Sequence, residues 1–307
     1  MQIALRCWLI ALIALASCNT DDQTTDSASA RTFATSTSAK STPPTNTPTT
    51  TSRGGSWWRP PLTAHWQWLL SDALDLDDPG QMGTDRRTAD GRRAFAPTIY
   101  DIDGFANPAS TIDTLHRSDL RTICYIETGG WEDYRPDALE YPAQDLGKPV
   151  DGYPDERYVD IRSPEVLRIV LNRVQMCADK GFDAVEPDLD DTYAQDTGFP
   201  LSMADSVAFN SAVADRAHRL GMAIGLKNGD DPEFVSAMEP VVDFALVEQC
   251  FEYGTCDAFA IFVDVGKPVF AVEYELQPDE FCNSADALGF NAVLHDVKLN
   301  GGGTPCR

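Results

Sequence analysis

Short runs of apolar, often β-branched residues recur along the chain. Each is followed by a polar stretch and then, in most cases, by ten or more residues with the period of an amphipathic helix. Eight such runs are legible, at 66–70, 97–103, 122–127, 182–188, 222–228, 244–250, 268–274 and 291–295. The clearest helix is 164–180, entered from Ser163 as N-cap and ended before Gly181. A second runs over 202–220 and is stopped by Gly221, with shorter helices expected at 231–238, 256–265 and 278–288. Residues 71–95 are polar and only weakly helical, so the first crossover is expected to be irregular. Alternating βα units that count to eight predict an α/β fold, a closed (β/α)8 TIM barrel. An open doubly wound sheet would show a glycine-rich first turn, and no GxGxxG follows any run.

The beginning of the chain follows a different pattern. Arg6, an apolar run over 7–16 and the small residue Ser17 read as a signal peptide over 1–17. Leu15-Ala16-Ser17-Cys18 resembles a bacterial lipobox, which implies lipidation of Cys18 and a membrane anchor there. Within the linker expected over 18–55, Ser and Thr supply 18 of the 37 residues from 19 to 55. Such a segment buries too little to offset its ordering entropy and is expected to be disordered. Residues 56–307 then form one domain, within the size of a single barrel.

That domain carries 20 basic and 45 acidic side chains, a net charge of −25. Nucleic acid is not expected as a partner, because binding it needs a basic stripe. A cationic ligand would be attracted. Beyond Cys7 and Cys18 there are six cysteines, an even number that suits disulfides in an exported chain. Cys250–Cys256 and Cys282–Cys306 are the expected pairs. No Cys-x-x-Cys is present and the four histidines are scattered, so zinc is not expected. The protein is expected at the cell envelope or outside the cell, as a monomer without a cofactor.

The active face of a barrel lies at the C-terminal ends of its strands. Here those ends carry Asp101 and Asp103, Glu127, Glu186 and Asp188, Glu248, Glu273 and Asp296, with Lys227-Asn228 after the fifth run. A lone Asp after a strand is usually a turn former or an N-cap. Glu186 and Glu248 are different, because each lies within or at the end of an apolar run where a charge is costly without a partner. Glycosidic hydrolysis needs two carboxyl groups flanking the bond, and a ring of acids supplies them. The same ring, through Asp101, Asp103 and Asp188, has the chemistry for a divalent cation, although Lys227 argues against one.

Several motifs in order resemble glycoside hydrolase family 114, the endo-α-1,4-polygalactosaminidases: Trp66-Gln67-Trp68, Tyr100-Asp101-Ile102-Asp103, Cys124-Tyr125, Asp160-Ile161-Arg162, Glu186-Pro187-Asp188-x-x-Asp191-x-Tyr193, Glu248-Gln249-Cys250-Phe251 and Lys267-Pro268-Val269-Phe270. The resemblance implies a βα-barrel that cleaves within α-1,4-linked, galactosamine-containing polysaccharide. It further implies Asp188 as nucleophile and Glu248 as general acid/base in a retaining mechanism. Glu186 is the alternative to Asp188, since the two share side-chain parity. Leu189, Thr192 and the stretch Glu127-Thr128-Gly129-Gly130-Trp131 depart from the family pattern. Asp101, Asp103, Glu127 and Asp191 are candidates to meet sugar amines or hydroxyls, while Trp66, Trp131, Tyr193 and Tyr274 are candidates to stack on sugar faces, with packing in the barrel as the alternative for these aromatics. Lys227 and Asn228 either hold a catalytic carboxylate ionised or simply neutralise the ring. Two rival functions are a lipid-tethered barrel that binds carbohydrate without cleaving it and a metal-dependent hydrolase on the same face. No GxSxG elbow supports an esterase.

Overall fold

The structure, a computed structural model, describes residues 57–307. The expected signal peptide, Cys18 and the whole of the linker over 18–55 lie outside the described residues. In chain order the elements are β1 (Trp66–Leu69), β2 (Ile99–Asp103), α1 (Ala109–Arg117), β3 (Arg121–Glu127), β4 (Gly130–Glu132), β5 (Leu146–Val150), β6 (Tyr153–Val159), α2 (Pro164–Lys180), β7 (Ala184–Asp188), α3 (Met203–Arg219), β8 (Ala223–Lys227), α4 (Pro232–Met238), β9 (Phe244–Glu248), α5 (Cys250–Tyr253), α6 (Ala260–Asp264), β10 (Val269–Glu273), α7 (Pro278–Leu288), β11 (Asn291–Leu294) and β12 (Thr304–Pro305).

Eight of these strands pair in parallel in the order β1-β2-β3-β7-β8-β9-β10-β11, and they occupy the eight apolar runs of the sequence. The sheet curls into a TIM barrel. Short β12 adds antiparallel to β11. The seam between β11 and β1 is joined through Asn291: its Oδ1 accepts from Ala64 N–H, its carbonyl from the Trp66 indole, and its amide donates to Leu62 O, each at 3.0 Å. Arg86 covers the edge of β1 by donating to Trp66 O and Gln67 Oε1.

The period of two along each strand sorts the core into two layers. Ile99, Ile123, Ala184, Ala223, Phe244, Leu246, Phe270, Val272 and Val293 fill the barrel interior with Trp66 and Trp68. The alternate residues, among them Ile102, Cys124, Val185, Ile224, Ala245, Val269 and Ala271, pack against the helices. Sizes alternate inside: a Cβ on Gly225 would lie 2.5 Å from the Phe244 ring, so the glycine is what admits the phenylalanine.

The local signals at the helix ends hold. Ser163 caps α2, which stops at Gly181 with φ of 92°, and Ser202 and Asp205 form a capping box on α3. Disulfides join Cys250 to Cys256 and Cys282 to Cys306 as expected, and the remaining pair, Cys124–Cys177, ties β3 to α2. The first crossover is irregular, with no helix among the described residues between β1 and β2. The pattern did not show α1, nor the antiparallel sheet β4-β6-β5 inserted between β3 and α2.

Candidate active site

Strands β3, β7, β8 and β9 send side chains upward from the apolar interior into one polar layer above Trp68 of β1. Lys227, the last residue of β8, stands at its centre and is 2 % exposed. Its ammonium lies 3.0 Å from Glu186 Oε1, 3.3 Å from Asp188 Oδ1 and 3.3 Å from Glu248 Oε2. Below it the Trp68 ring centroid is 5.0 Å away, and that indole donates to Glu186 Oε2 at 3.0 Å. Burial opposes the charge on Lys227, but the carboxylates of Asp188, Glu186 and Glu248 outweigh it and hold the ammonium well above its ordinary pKa.

The acids divide by depth. Side-chain exposure is 1 % for Glu186 but 12 % for Asp188 and 20 % for Glu248, so the last two form the open rim and Glu186 the floor. Asp188 is oriented by the Tyr125 hydroxyl, which donates to Oδ2 at 2.9 Å, and by Leu189 N–H on Oδ1 at 3.0 Å. Glu248 accepts from the Tyr274 hydroxyl at 2.5 Å and from Asn228 Nδ2 at 2.9 Å, while its own N–H donates to Asn228 Oδ1.

Backbone geometry concentrates here too. The residues directly after Asp188, Lys227 and Glu248 are Leu189, Asn228 and Gln249, and all three are left-handed, with φ of 61°, 53° and 56°. For residues other than glycine such conformations cost about 1–3 kcal/mol each and gather where a site over-determines the chain. The sharp turns lift the chain off three neighbouring strands at the point where each presents a side chain of the cluster.

Comparison with known proteins decides what this cluster belongs to. The model of the glycoside-hydrolase family GH114 matches residues 47–307. The chain is a member of family GH114. Among solved structures it is similar to Aspergillus fumigatus Ega3 in complex with galactosamine, at 33 % identity and a TM-score of 0.73, covering 82 % of this chain and 98 % of that one. It also shares the fold of the glycoside hydrolase domain of PelA from Pseudomonas aeruginosa, at 12 % identity and a TM-score of 0.58, over 78 % of this chain and 97 % of that domain. No curated protein sequence matches it. The protein is a glycoside hydrolase built on a TIM barrel.

Within the GH114 barrel the expected site residues separate into those at the cluster and those spent elsewhere. Asp188, Glu248, Glu186, Lys227, Asn228 and Tyr274 converge, Tyr274 through its hydroxyl on Glu248. Trp66 is a correction: it is 2 % exposed, packs on Phe270 and donates to Asn291 O deep in the barrel, so it offers no face to a sugar. Asp103 is another, since its carboxylate accepts from Phe105 and Ala106 N–H and pairs with Arg135 at 2.7 Å, anchoring the loop after β2. Asp101 is fully buried beneath the rim. Glu127 is buried as well and accepts from Gly129 N–H.

Tyr193 packs on Phe234 in the helix layer, Asp191 accepts from Gln195, and the Trp131 indole donates to Ala138 O. Glu273 shares the outward parity of Ala271 and caps α5 through Phe251 N–H, away from the ring. Asp101, Asp103 and Asp188 do not converge as a ligand set, and no three candidate metal ligands do so among the described residues. Three positioning residues were missed. Trp68 and Tyr125 have the parity of Glu186 and lie one step deeper than the rim, which was the available signal. Asp190 is buried and accepts from Lys227 N–H at 2.9 Å, fixing the end of β8.

Proposed function

We propose that this enzyme hydrolyses α-linked galactosamine polymer from within the chain, with retention, using Asp188 as nucleophile and Glu248 as general acid/base. One observation carries the reading: Asp188 and Glu248 each place an oxygen 3.3 Å from the same ammonium. Those two oxygens therefore lie at most twice that distance apart. That bound accommodates the roughly 5–5.5 Å spacing of retaining enzymes. Both are also the exposed members of the cluster, open to a sugar, whereas Glu186 is covered.

In the first step Asp188 attacks the anomeric carbon while Glu248 gives its proton to the departing glycosidic oxygen. In the second, Glu248 takes a proton from water, which attacks the same carbon and releases Asp188. Lys227 limits the repulsion between two close carboxylates, and the Tyr125 and Tyr274 hydroxyls fix the lone pairs that face the substrate. The galactosamine bound to Ega3, a 33 % identical relative, and the −25 charge of residues 56–307 both favour a cationic amino-sugar polymer. Three disulfides favour an oxidising compartment, in line with export and with an anchor at Cys18.

Asp188→Asn and Glu248→Gln are each expected to lower the release of reducing ends from polygalactosamine by about 10²–10⁴-fold or more while circular dichroism stays native. Retained turnover in either variant removes it from the pair. Polymer binding without turnover by the wild type would instead leave a binding barrel.

A further inference from the structure

Asp101 poses a problem that the catalytic reading does not absorb. It is fully buried, and neither of its carboxyl oxygens accepts a hydrogen bond from any donor among the described residues. Beside it lies a second buried carboxyl, Glu186, whose Oε1 likewise accepts no hydrogen bond among the described residues. Two buried carboxyls side by side with unpartnered oxygens share a proton rather than both ionise. Glu186 is the better anion of the two, because the Trp68 indole donates to its Oε2 and the Lys227 ammonium lies 3.0 Å from its Oε1. Asp101 has neither partner.

We propose that Asp101 is a neutral carboxylic acid that donates its proton to Glu186, making it a positioning residue beneath the catalytic pair rather than a sugar ligand. Glu186 then accepts from Trp68 and Asp101 beside its ion pair with Lys227, and is fixed under Asp188. The charge balance follows. Of the four acids around Lys227, Asp101 contributes none of the negative charge felt by Asp188 and Glu248, and Glu186 contributes a full unit.

The groups facing this pair are Trp68 on β1, Tyr125 on β3, Asp188 on β7, Lys227 on β8, Glu248 on β9 and His295, whose ring stands edge-on to Trp68. Burial lowers the pKa of His295 and raises that of Tyr125, so both favour their neutral forms. Burial and then the Glu186 charge push Asp101 well above the usual carboxylate range, in keeping with the geometry.

The consequence for the pH profile rests on the Asp188 and Glu248 assignment, so the test has two arms. In the first, kcat/KM on polygalactosamine is followed against pH. Glu186→Gln removes an anion beside the general acid, which then loses its proton more readily, so the alkaline limb moves down by about one pH unit. Asp101→Asn replaces one neutral donor with another, so the limb stays where the wild type has it, whatever the fall in kcat. A downward shift in Asp101→Asn like that of Glu186→Gln would overturn the proposal.

The second arm needs no turnover. In protein labelled at the aspartate ¹³Cγ, one carbon is expected to keep the shift of a protonated acid at neutral pH, both in the wild type and in Asp190→Asn, and to vanish in Asp101→Asn. If Asp101→Asn does not fold, the resonance that persists in Asp190→Asn decides for the proposal, and its absence decides against it. A failure of hydrolysis with that resonance present would count against the catalytic assignment alone.

Discussion

Tyr274 shows how much of this site lies in hydroxyl placement rather than in acids. Its O–H donates to Glu248 at 2.5 Å, at a carboxylate that also accepts from Asn228 and pairs with Lys227. A hydrogen bond to a charged group contributes about 1.5–3 kcal/mol, so Tyr274→Phe should lower kcat/KM by roughly 10- to 100-fold with little change in stability. Steady-state kinetics beside a urea melt would check this, and an unchanged kcat/KM would make the contact incidental. The sequence named Tyr274 for a different task, stacking on sugar, because an aromatic residue at a strand end does not reveal which of its ring or its hydroxyl is used. It selected Trp66 over Trp68 for a similar reason. Both share inward parity, and only the depth of β1 in the barrel separates the buried packing residue from the one that meets Glu186.

Among the elements, the eight barrel strands were legible because a parallel strand buried on both faces is a contiguous apolar run. The long helices were legible through Ser163, Gly181 and Ser202. The inserted sheet was not: β5 is half exposed and contains Pro149, and β6 carries Asp155, Glu156 and Arg157, so neither strand has a core-facing pattern to detect. Its hold on the site is tertiary, through Val150 and Tyr158 packed on Leu189, the residue after Asp188. Helix α1 escaped because its nine residues lack a side-chain cap. The interior of the barrel makes its own prediction. Gly225→Ala would drive a methyl group into the Phe244 ring and should cost about 1–3 kcal/mol of stability by overpacking. Urea denaturation would measure it, and the double variant Gly225→Ala with Phe244→Leu should recover part of the loss.

At the scale of the whole molecule, the excess of acids works at a distance that no single contact covers. The Debye length is about 10 Å at 0.1 M salt and about 3 Å at 1 M, so attraction of a polycation by the −25 domain should weaken steeply with ionic strength. KM for polygalactosamine is expected to rise several-fold over that range while kcat holds, and a short N-acetylated substrate should show no such change. A salt-independent KM for the polymer would leave the acidity to solubility alone. The central claim, however, is that Asp188 and Glu248 act together across a short gap to give retention. Proton NMR of the first product released from an α-linked galactosamine oligomer tests it most directly. The account predicts that the α-anomer appears first and mutarotates to the mixture; a β-anomer appearing first would contradict it.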